Sequence, residues 1–512
     1  MKQLILAMAL CVYLPLTAQF NPQPKAITKA YFPDPAAGFE TPGASKKKGY
    51  MTHEEYGQFL LRLQREHPGE LTIDTLGYSQ LGRAIYSVHL PALDTTKTPA
   101  RLWMQGGLHG DEPASSEGVL HFLQECLSAP DHRNYRARVE LLLVPVANVD
   151  GYEQQQRHAA NGLDLNRDQS KLAVPETRLL KRAFSDFNPH VAVDFHEFRP
   201  FRRDFVHLGR FGVTSRNDIM FLYTGNLNVP DTVRGVIEQT FVHRAKERLA
   251  EADYSFANYS TSFDHKGDIH FNSGSYHARS SATSYALNNA ISTLIEVRGV
   301  GIGKTSFLRR IDITANIALS YLQTTQTEAD HLLVLFHEHG PQNTLAHVKM
   351  ERTVEERPMT FIDMANFDEL VLQVTVHDAN QMRSKSTRPI PDFYAVPNET
   401  EYREKLDALG LRYQTNNELH QGSLEGYFVT SLEVEPYPYE GATIQQVEVE
   451  LRPASSAQVQ DYLWLSTHQQ KRALLVELFE PETDNGWVHF GVVPAQLQDF
   501  LPIYRFTFSH EN

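Results

Sequence analysis

Between residues 52 and 340 short, nearly continuous apolar runs alternate with stretches of helical periodicity, and no other property of the chain limits its fold so strongly. Leu71 to Thr75, Ala84 to Leu90, Arg101 to Met104, Val139 to Val146 and Val191 to His196 have the length of strands. Most carry too few polar positions to leave one face in water. The segments between them read as helices. Thr52-His53-Glu54-Glu55 has the form of a capping box, and Tyr56, Leu60, Leu61 and Leu63 recur near helical spacing until Pro68. Further helices are expected from Pro113 through Leu120, Leu123 and Leu127, after Pro175, and over roughly Thr305 to Phe336. The fold class that follows is α/β: a mostly parallel mixed sheet covered by helices on both faces. In such sheets functional side chains collect in the loops at the carboxyl ends of strands, where His109, Asn148, His196 and Glu296 all fall.

Past about residue 340 the pattern changes to alternating segments such as Val371 to Val376, Gln446 to Leu451 and Ala473 to Leu478. They read as short strands, so 341–512 is expected to form a β-rich accessory region. Pro481-Glu482-Thr483-Asp484-Asn485-Gly486 reads as a hairpin turn with no catalytic role. At the other end Lys2 precedes an apolar stretch from Leu4 to Leu16, and Ala18 offers a small residue for cleavage. Residues 1–18 are therefore expected to be a signal peptide, 19–51 a leader with Lys46, Lys47 and Lys48 solvated, and 52–340 the catalytic domain. Export points to a periplasm or the cell exterior. No later run has the length and apolarity of a transmembrane helix. Loss of Cys11 with the signal leaves only Cys126, so a core and not an internal disulfide must hold the mature chain. With 41% apolar residues in 512, material for more than one core is present. A formal charge of −14 argues against nucleic acid as a partner. The oligomeric state is not fixed by any of these features.

Two short stretches carry the chemistry. His109 and Glu112 stand three residues apart in a glycine-flanked turn, and His196 ends a different strand. Two imidazoles and one carboxylate are the donor set that holds a catalytic zinc with one position open to water. Either stretch alone has an ordinary explanation, an accidental His-x-x-Glu or a core histidine bonded to a buried partner. A third segment favours the metal site: Asn148-Val149-Asp150-Gly151, then Arg157, then Asp164-Leu165-Asn166-Arg167.

This ordered set, closed by Thr293-Leu294-Ile295-Glu296-Val297-Arg298, resembles the zinc carboxypeptidases of the carboxypeptidase A type over roughly Thr52 to Leu335. The resemblance implies one zinc per chain on His109, Glu112 and His196, a zinc-bound water, and Glu296 as general base. It further implies that Arg157 stabilises the oxyanion, that Asn166 and Arg167 hold the free carboxyl terminus of a peptide, and that Asp164 orients His109. A mobile tyrosine closes over the substrate in that family, and Tyr276 takes the place ahead of Tyr285. Asp111 stands where digestive members carry an arginine, so that substrate contact is in doubt. Arg199, Arg202 and Arg203, just after the last ligand, suit either a cleft that favours acidic substrates or a solvated loop. Arg279 suits a second acidic group or a structural ion pair. The C-terminal part resembles extensions on certain secreted bacterial members. Other members of the superfamily trim peptidoglycan stems or deacylate amino acids with the same zinc set. The Asn166-Arg167 pair and the Glu296-x-Arg298 ending favour a peptidase acting at a free C-terminus over these, and the presence of all three ligands and Glu296 disfavours a non-catalytic binding protein on the same fold.

Overall fold

The capping box forms both of its bonds: Thr52 Oγ1 accepts the Glu55 N–H and the Thr52 N–H is taken by Glu55 Oε2 at 2.9 Å, opening the helix His53–Glu66. Its Tyr56, Phe59, Leu60 and Leu63 are buried, as the spacing requires. The computed structural model describes residues 21–36, 38–337, 343–415 and 421–509. The expected signal peptide, 1–18 with Cys11, lies outside them.

In chain order the strands are β1 Thr72–Tyr78, β2 Ala84–Leu90, β3 Ala100–Gly106, β4 Val139–Val144, β5 Val191–Phe198, β6 Val213–Ser215, β7 Ile219–Leu222, β8 Phe256–Asn258 and β9 Ser260–His265. They continue with β10 Asp268–Ser273, β11 Ile291–Arg298, β12 Leu345–Asp363, β13 Glu369–Pro389, β14 Phe393–Pro397, β15 Gly422–Val434, β16 Gln445–Pro453, β17 Tyr462–Ser466 and β18 Phe500–Phe508. An eight-stranded mixed sheet runs β1-β2-β4-β3-β5-β11-β7-β8, and its centre, β4-β3-β5-β11, is parallel. β3 is buried at all but Arg101 and β5 at every residue, which is why they read as apolar runs. The helices Pro113–Ser128, Pro175–Phe187 and Phe307–Thr327 start where expected within two residues; the last is broken at Glu328 before Ala329–His337. Cys126 is buried and free.

The accessory strands do not stand apart. A second sheet runs β6-β12-β13-β10-β9, so β12 and β13 complete a layer begun by the preceding region: Phe361 pairs with Ser215 and Phe271 with Val376. These two strands, 19 and 21 residues long, exceed the short segments the alternation suggested. A third sheet, β16-β15-β18-β14-β17, is wholly C-terminal. One apolar core nevertheless reaches from Met51 to Ile503, and Trp487 is fully buried with its indole N–H on the Ser170 carbonyl at 3.1 Å.

Three expectations are corrected. Ala473 to Leu478 is not a strand but part of the helix Arg472–Phe479; Leu474, Leu475, Leu478 and Phe479 are buried at helical spacing. The segment from Pro481 consequently follows a helix and turns back without forming a hairpin. Nor is the N-terminal segment a solvated leader. Ile27 and Phe32 are buried, Gln23 receives Arg298 Nε at 2.6 Å, and Lys46 pairs with Glu55, while Lys47 and Lys48 remain exposed.

Candidate metal centre and its cleft

β3 ends at Gly106, and Gly107 adopts a left-handed backbone, φ 61°, that turns the chain sharply. His109 and Glu112 lie in that turn, directly before the helix Pro113–Ser128. Gly110 lets the turn meet a second loop, for a Cβ built on it would stand 1.9 Å from the carbonyl carbon of Gly151. The His109–Glu112 and Asn148–Gly151 motifs thus pack backbone against backbone. Asn148 Oδ1 accepts the Gly151 N–H at 2.9 Å and its Nδ2 donates to the Arg157 carbonyl at 3.3 Å, shaping the loop that carries Arg157. Asp150 is occupied by Ser79, the Leu81 N–H and Arg83, a scaffold role.

β5 supplies His196, and the parallel register of β11 sets Glu296 directly opposite it. His109 Nδ1 lies 2.7 Å from Glu112 Oε1, and His196 Nδ1 lies 2.9 Å from Glu112 Oε2 and 3.0 Å from His109 Nδ1. The other ring nitrogens face carboxylates: His109 Nε2 is 3.1 Å from Asp164 Oδ1, and His196 Nε2 is 2.9 Å from Asp194 Oδ2. An ionised carboxylate only accepts, so each neutral imidazole keeps its proton on Nε2 and turns the Nδ1 lone pair inward. The three converging side chains are buried, with ligand atoms within 4.8 Å of one another. Two imidazoles and a carboxylate held this way fit a zinc ion with an open position.

Electrostatics reinforce the convergence. Burial works against the Glu112 carboxylate, but His109 and His196 overcome it and hold the group well below its usual range. Burial likewise opposes charge on His196, yet Asp194 and Glu112 raise it well above the ordinary imidazole value, and Glu112 also raises His109 against its burial. Glu296 behaves oppositely. Burial, then the charge of Glu112, pushes its carboxyl up to about 7, and its Oε2 is shielded without a hydrogen-bond partner among the described residues. Arg157 grips Asp164 Oδ2 through Nε at 3.0 Å and NH2 at 2.8 Å, while NH1 reaches to 3.2 Å from His109 Nδ1.

A cleft of about 530 Å³ collects His109, Glu112, Arg157, Asn166, Arg167 and Glu296 on its wall. His196 is fully buried beneath it, and Asp164 backs His109. Asn166 Oδ1 accepts the Ser281 N–H at 2.8 Å, which leaves only its amide donors for a ligand. Arg167 donates to the Asn166 carbonyl at 2.8 Å and has no carboxylate partner among the described residues. Asp111 lines the cleft too, as do Arg199 and Arg202; Arg203 faces a different cavity, beside Asp204 and His207. The stretch after His196 is thus more than a solvated loop.

Tyr276 does not line this cleft. Its hydroxyl donates to Asp484 Oδ2 at 2.9 Å, drawing it to the accessory region. Tyr285 is a core residue, stacked on Phe184 at 4.1 Å and bonded to Gln105 Oε1 at 2.8 Å. Among the described residues the tyrosine on the cleft wall is Tyr259, between β8 and β9, which no motif marks. Asp194 was also missed, although its position two residues before His196 on one strand puts both on the same face. Arg298 is buried away from the cleft, donating to Gln23, the Ser215 carbonyl and Thr214.

A family profile described as "Zinc carboxypeptidase" matches residues 56–199, the segment that holds His109, Glu112, Arg157, Asn166, Arg167 and His196. Over residues 56–199 the chain is thus similar to the zinc carboxypeptidases. It is a peptide-bond hydrolase, and zinc is its cofactor. "Carboxypeptidase 2" of Trichophyton rubrum is 26% identical over 510 residues, covering 94% of this chain and 92% of that protein. "Carboxypeptidase 2" of Trichophyton equinum is 26% identical over 507 residues with the same coverage. Among solved structures, a metallo-carboxypeptidase from Burkholderia cenocepacia shares 15% identity over 55% of this chain and 70% of its own, with a TM-score of 0.43. Among the described residues no helix is long and apolar enough to cross a membrane.

Proposed function

We propose that this carboxypeptidase removes single residues from the free carboxyl termini of peptides, with Glu296 as general base. The observation that carries the reading is the placement of the Glu296 carboxyl, with no hydrogen-bond partner for its Oε2 among the described residues, directly opposite His196 on the adjacent strand. Zinc on His109, Glu112 and His196 supplies Lewis-acid polarisation of the scissile carbonyl and lowers the pKa of water towards about 7. Glu296 accepts the proton of the attacking water and delivers it to the departing amine nitrogen. Arg157, pinned by Asp164 and partly open to the cleft, donates to the oxygen that becomes negative in the transition state. Asn166 and Arg167 hold the terminal carboxylate, the first by its free amide donors and the second by its unpaired guanidinium. Asp164 and Asp194 act as positioning residues for the two imidazoles.

The catalytic unit is assigned to 52–340 and the accessory region to 341–512, the latter completing the second sheet. The Lys2 and Leu4–Leu16 pattern supports export before activity. The test uses zinc-loaded mature protein, peptides identical except for free or amidated C-termini, and mass spectrometry of the products. Loss of one terminal residue from the free acids alone, greatly slowed in Arg167→Ala, supports the reading. Equal cleavage of amidated peptides, or internal cleavage, overturns it.

A further inference from the structure

Five arginines line the cleft besides Arg157: Arg167, Arg199, Arg202, Arg279 and Arg352. Among the described residues none of the five forms an ion pair, and Arg202 is spent on Ser262. Two other arginines of the strands β12 and β13 are paired. Arg357, on the same strand as Arg352, pairs with Asp378, and Arg388 is clamped between Glu480 and Glu482.

Arg279 and Arg352 converge from opposite regions of the sequence. Arg352 arrives on β12 with NH2 3.3 Å from His277 Nε2 and its guanidinium 5.1 Å from the centre of the Tyr276 ring; its Nε is buried without a partner. Arg279 lies two residues beyond His277, its guanidinium 5.1 Å from the Tyr439 ring centre and without a hydrogen bond among the described residues. Desolvation and the nearby charges of Arg279, Arg352 and Arg167 hold His277 well below its usual range, so it stays neutral and adds a third polar group without neutralising the site. Asp484, the acid nearest this corner, is engaged by Tyr276, and Asn485 Nδ2 stands 3.2 Å from His277 Nδ1.

The backbone ties this corner to the pair assigned to the terminal carboxylate. The Ser281 N–H holds the Asn166 side chain at 2.8 Å, and the Arg279 carbonyl accepts the Gln169 N–H at 3.2 Å. Arg279 and Arg352 thus share one cleft wall with the pair assigned to the terminal carboxylate. Two half-buried guanidiniums lacking a carboxylate partner among the described residues favour a ligand that brings one.

Building on the proposed exopeptidase reading, we infer that Arg279 and Arg352 form a subsite for a side-chain carboxylate, making acidic C-terminal residues the preferred substrates. The accessory region then contributes a specificity determinant through Arg352, beyond its role in folding. The test compares zinc-loaded protein on peptides that differ only in a final Glu, Asp, Gln, Leu or Lys, and measures binding of the Glu and Gln peptides to Glu296→Gln protein by calorimetry. Charge-assisted hydrogen bonds of this kind predict a Glu over Gln preference of about 10- to 100-fold in kcat/KM and in binding. In Arg279→Met and Arg352→Met the Glu/Gln ratio falls towards one, a readout independent of how much active protein each preparation holds. Hydrolysis of Glu and Gln peptides at equal rates overturns the subsite while leaving the exopeptidase reading intact. Absence of hydrolysis with selective binding of the Glu peptide overturns the exopeptidase reading and keeps the subsite; equal binding removes the subsite on its own.

Discussion

Asp194 lies behind His196, on the ring nitrogen turned away from the converging donors, yet its replacement by asparagine should weaken zinc binding by about 2- to 30-fold. Its Oδ2 lies 2.9 Å from His196 Nε2, both residues are almost wholly buried, and its Oδ1 has no partner among the described residues. The amide is of equal size but carries no charge. A charge-assisted hydrogen bond contributes about 1.5–3 kcal/mol where a neutral one contributes about 1, so about 0.5–2 kcal/mol of orientation and ligand basicity is lost. The same carboxylate also stabilises the protonated imidazole that competes with metal, and it helps raise His196 well above its ordinary pKa. The two effects oppose each other at low pH. Competition titrations against a chromophoric chelator should therefore show the largest loss at pH about 8 and a smaller loss at pH about 6, where the variant also binds its proton less tightly. Equal zinc affinity of wild type and Asp194→Asn at the higher pH would refute the assignment of Asp194 to His196, and a loss independent of pH would show that the substitution acts through general destabilisation.

Because Glu112, joined by Asp194 at His196, raises both imidazoles against the opposing effect of burial, zinc uptake by the apo-protein should release protons; affinity should climb steeply between pH about 5 and 8, and a flat profile would contradict the buried cluster. Glu477, buried and bonded by Asn226 Nδ2 and Asn228 Nδ2, is pushed up to about 7 by burial. A folded pKa above the unfolded value means stability present below pH about 4.5 and lost as pH rises through about 7, an amount of about 3 kcal/mol. Thermal melts of Glu477→Gln should therefore gain on wild type at pH 8 by more than at pH 5; parallel pH profiles would contradict this. A chain ending at Phe336 loses β12, β13 and Trp487 from shared layers, and it should fail to give a cooperative melt; a truncated chain that melts sharply and binds zinc would show the accessory region to be dispensable.

The parts of this protein that were legible in its sequence are those whose causes are local. Continuous apolar runs announce a sheet buried on both faces, and the Thr52 capping box, the proline at the head of Pro113–Ser128 and the strand ends carrying His109, His196 and Glu296 all emerge where the pattern puts them. What the sequence concealed depends on distant partners. Ala473 to Leu478 carries an apolar pattern that fits either period, and its helix is settled by burial against the rest of the core. Tyr276 has the right spacing for a cleft tyrosine, but Asp484, 208 residues away, takes its hydroxyl. Tyr259 enters the cleft because β8 and β9 belong to different sheets, a crossing with no mark in the local residues. Asp194 alone was within reach of simple reasoning, through its period-two relation to His196.

The claim most in need of test is that Glu296 performs the chemistry while His109, Glu112 and His196 hold the metal. The decisive measurement is kcat of Glu296→Gln on a good free-acid peptide, with zinc content determined by elemental analysis on the same preparation. The account predicts one zinc per chain, as in wild type, and a kcat lower by about 10²- to 10⁴-fold. Near-normal turnover at full zinc occupancy would contradict it.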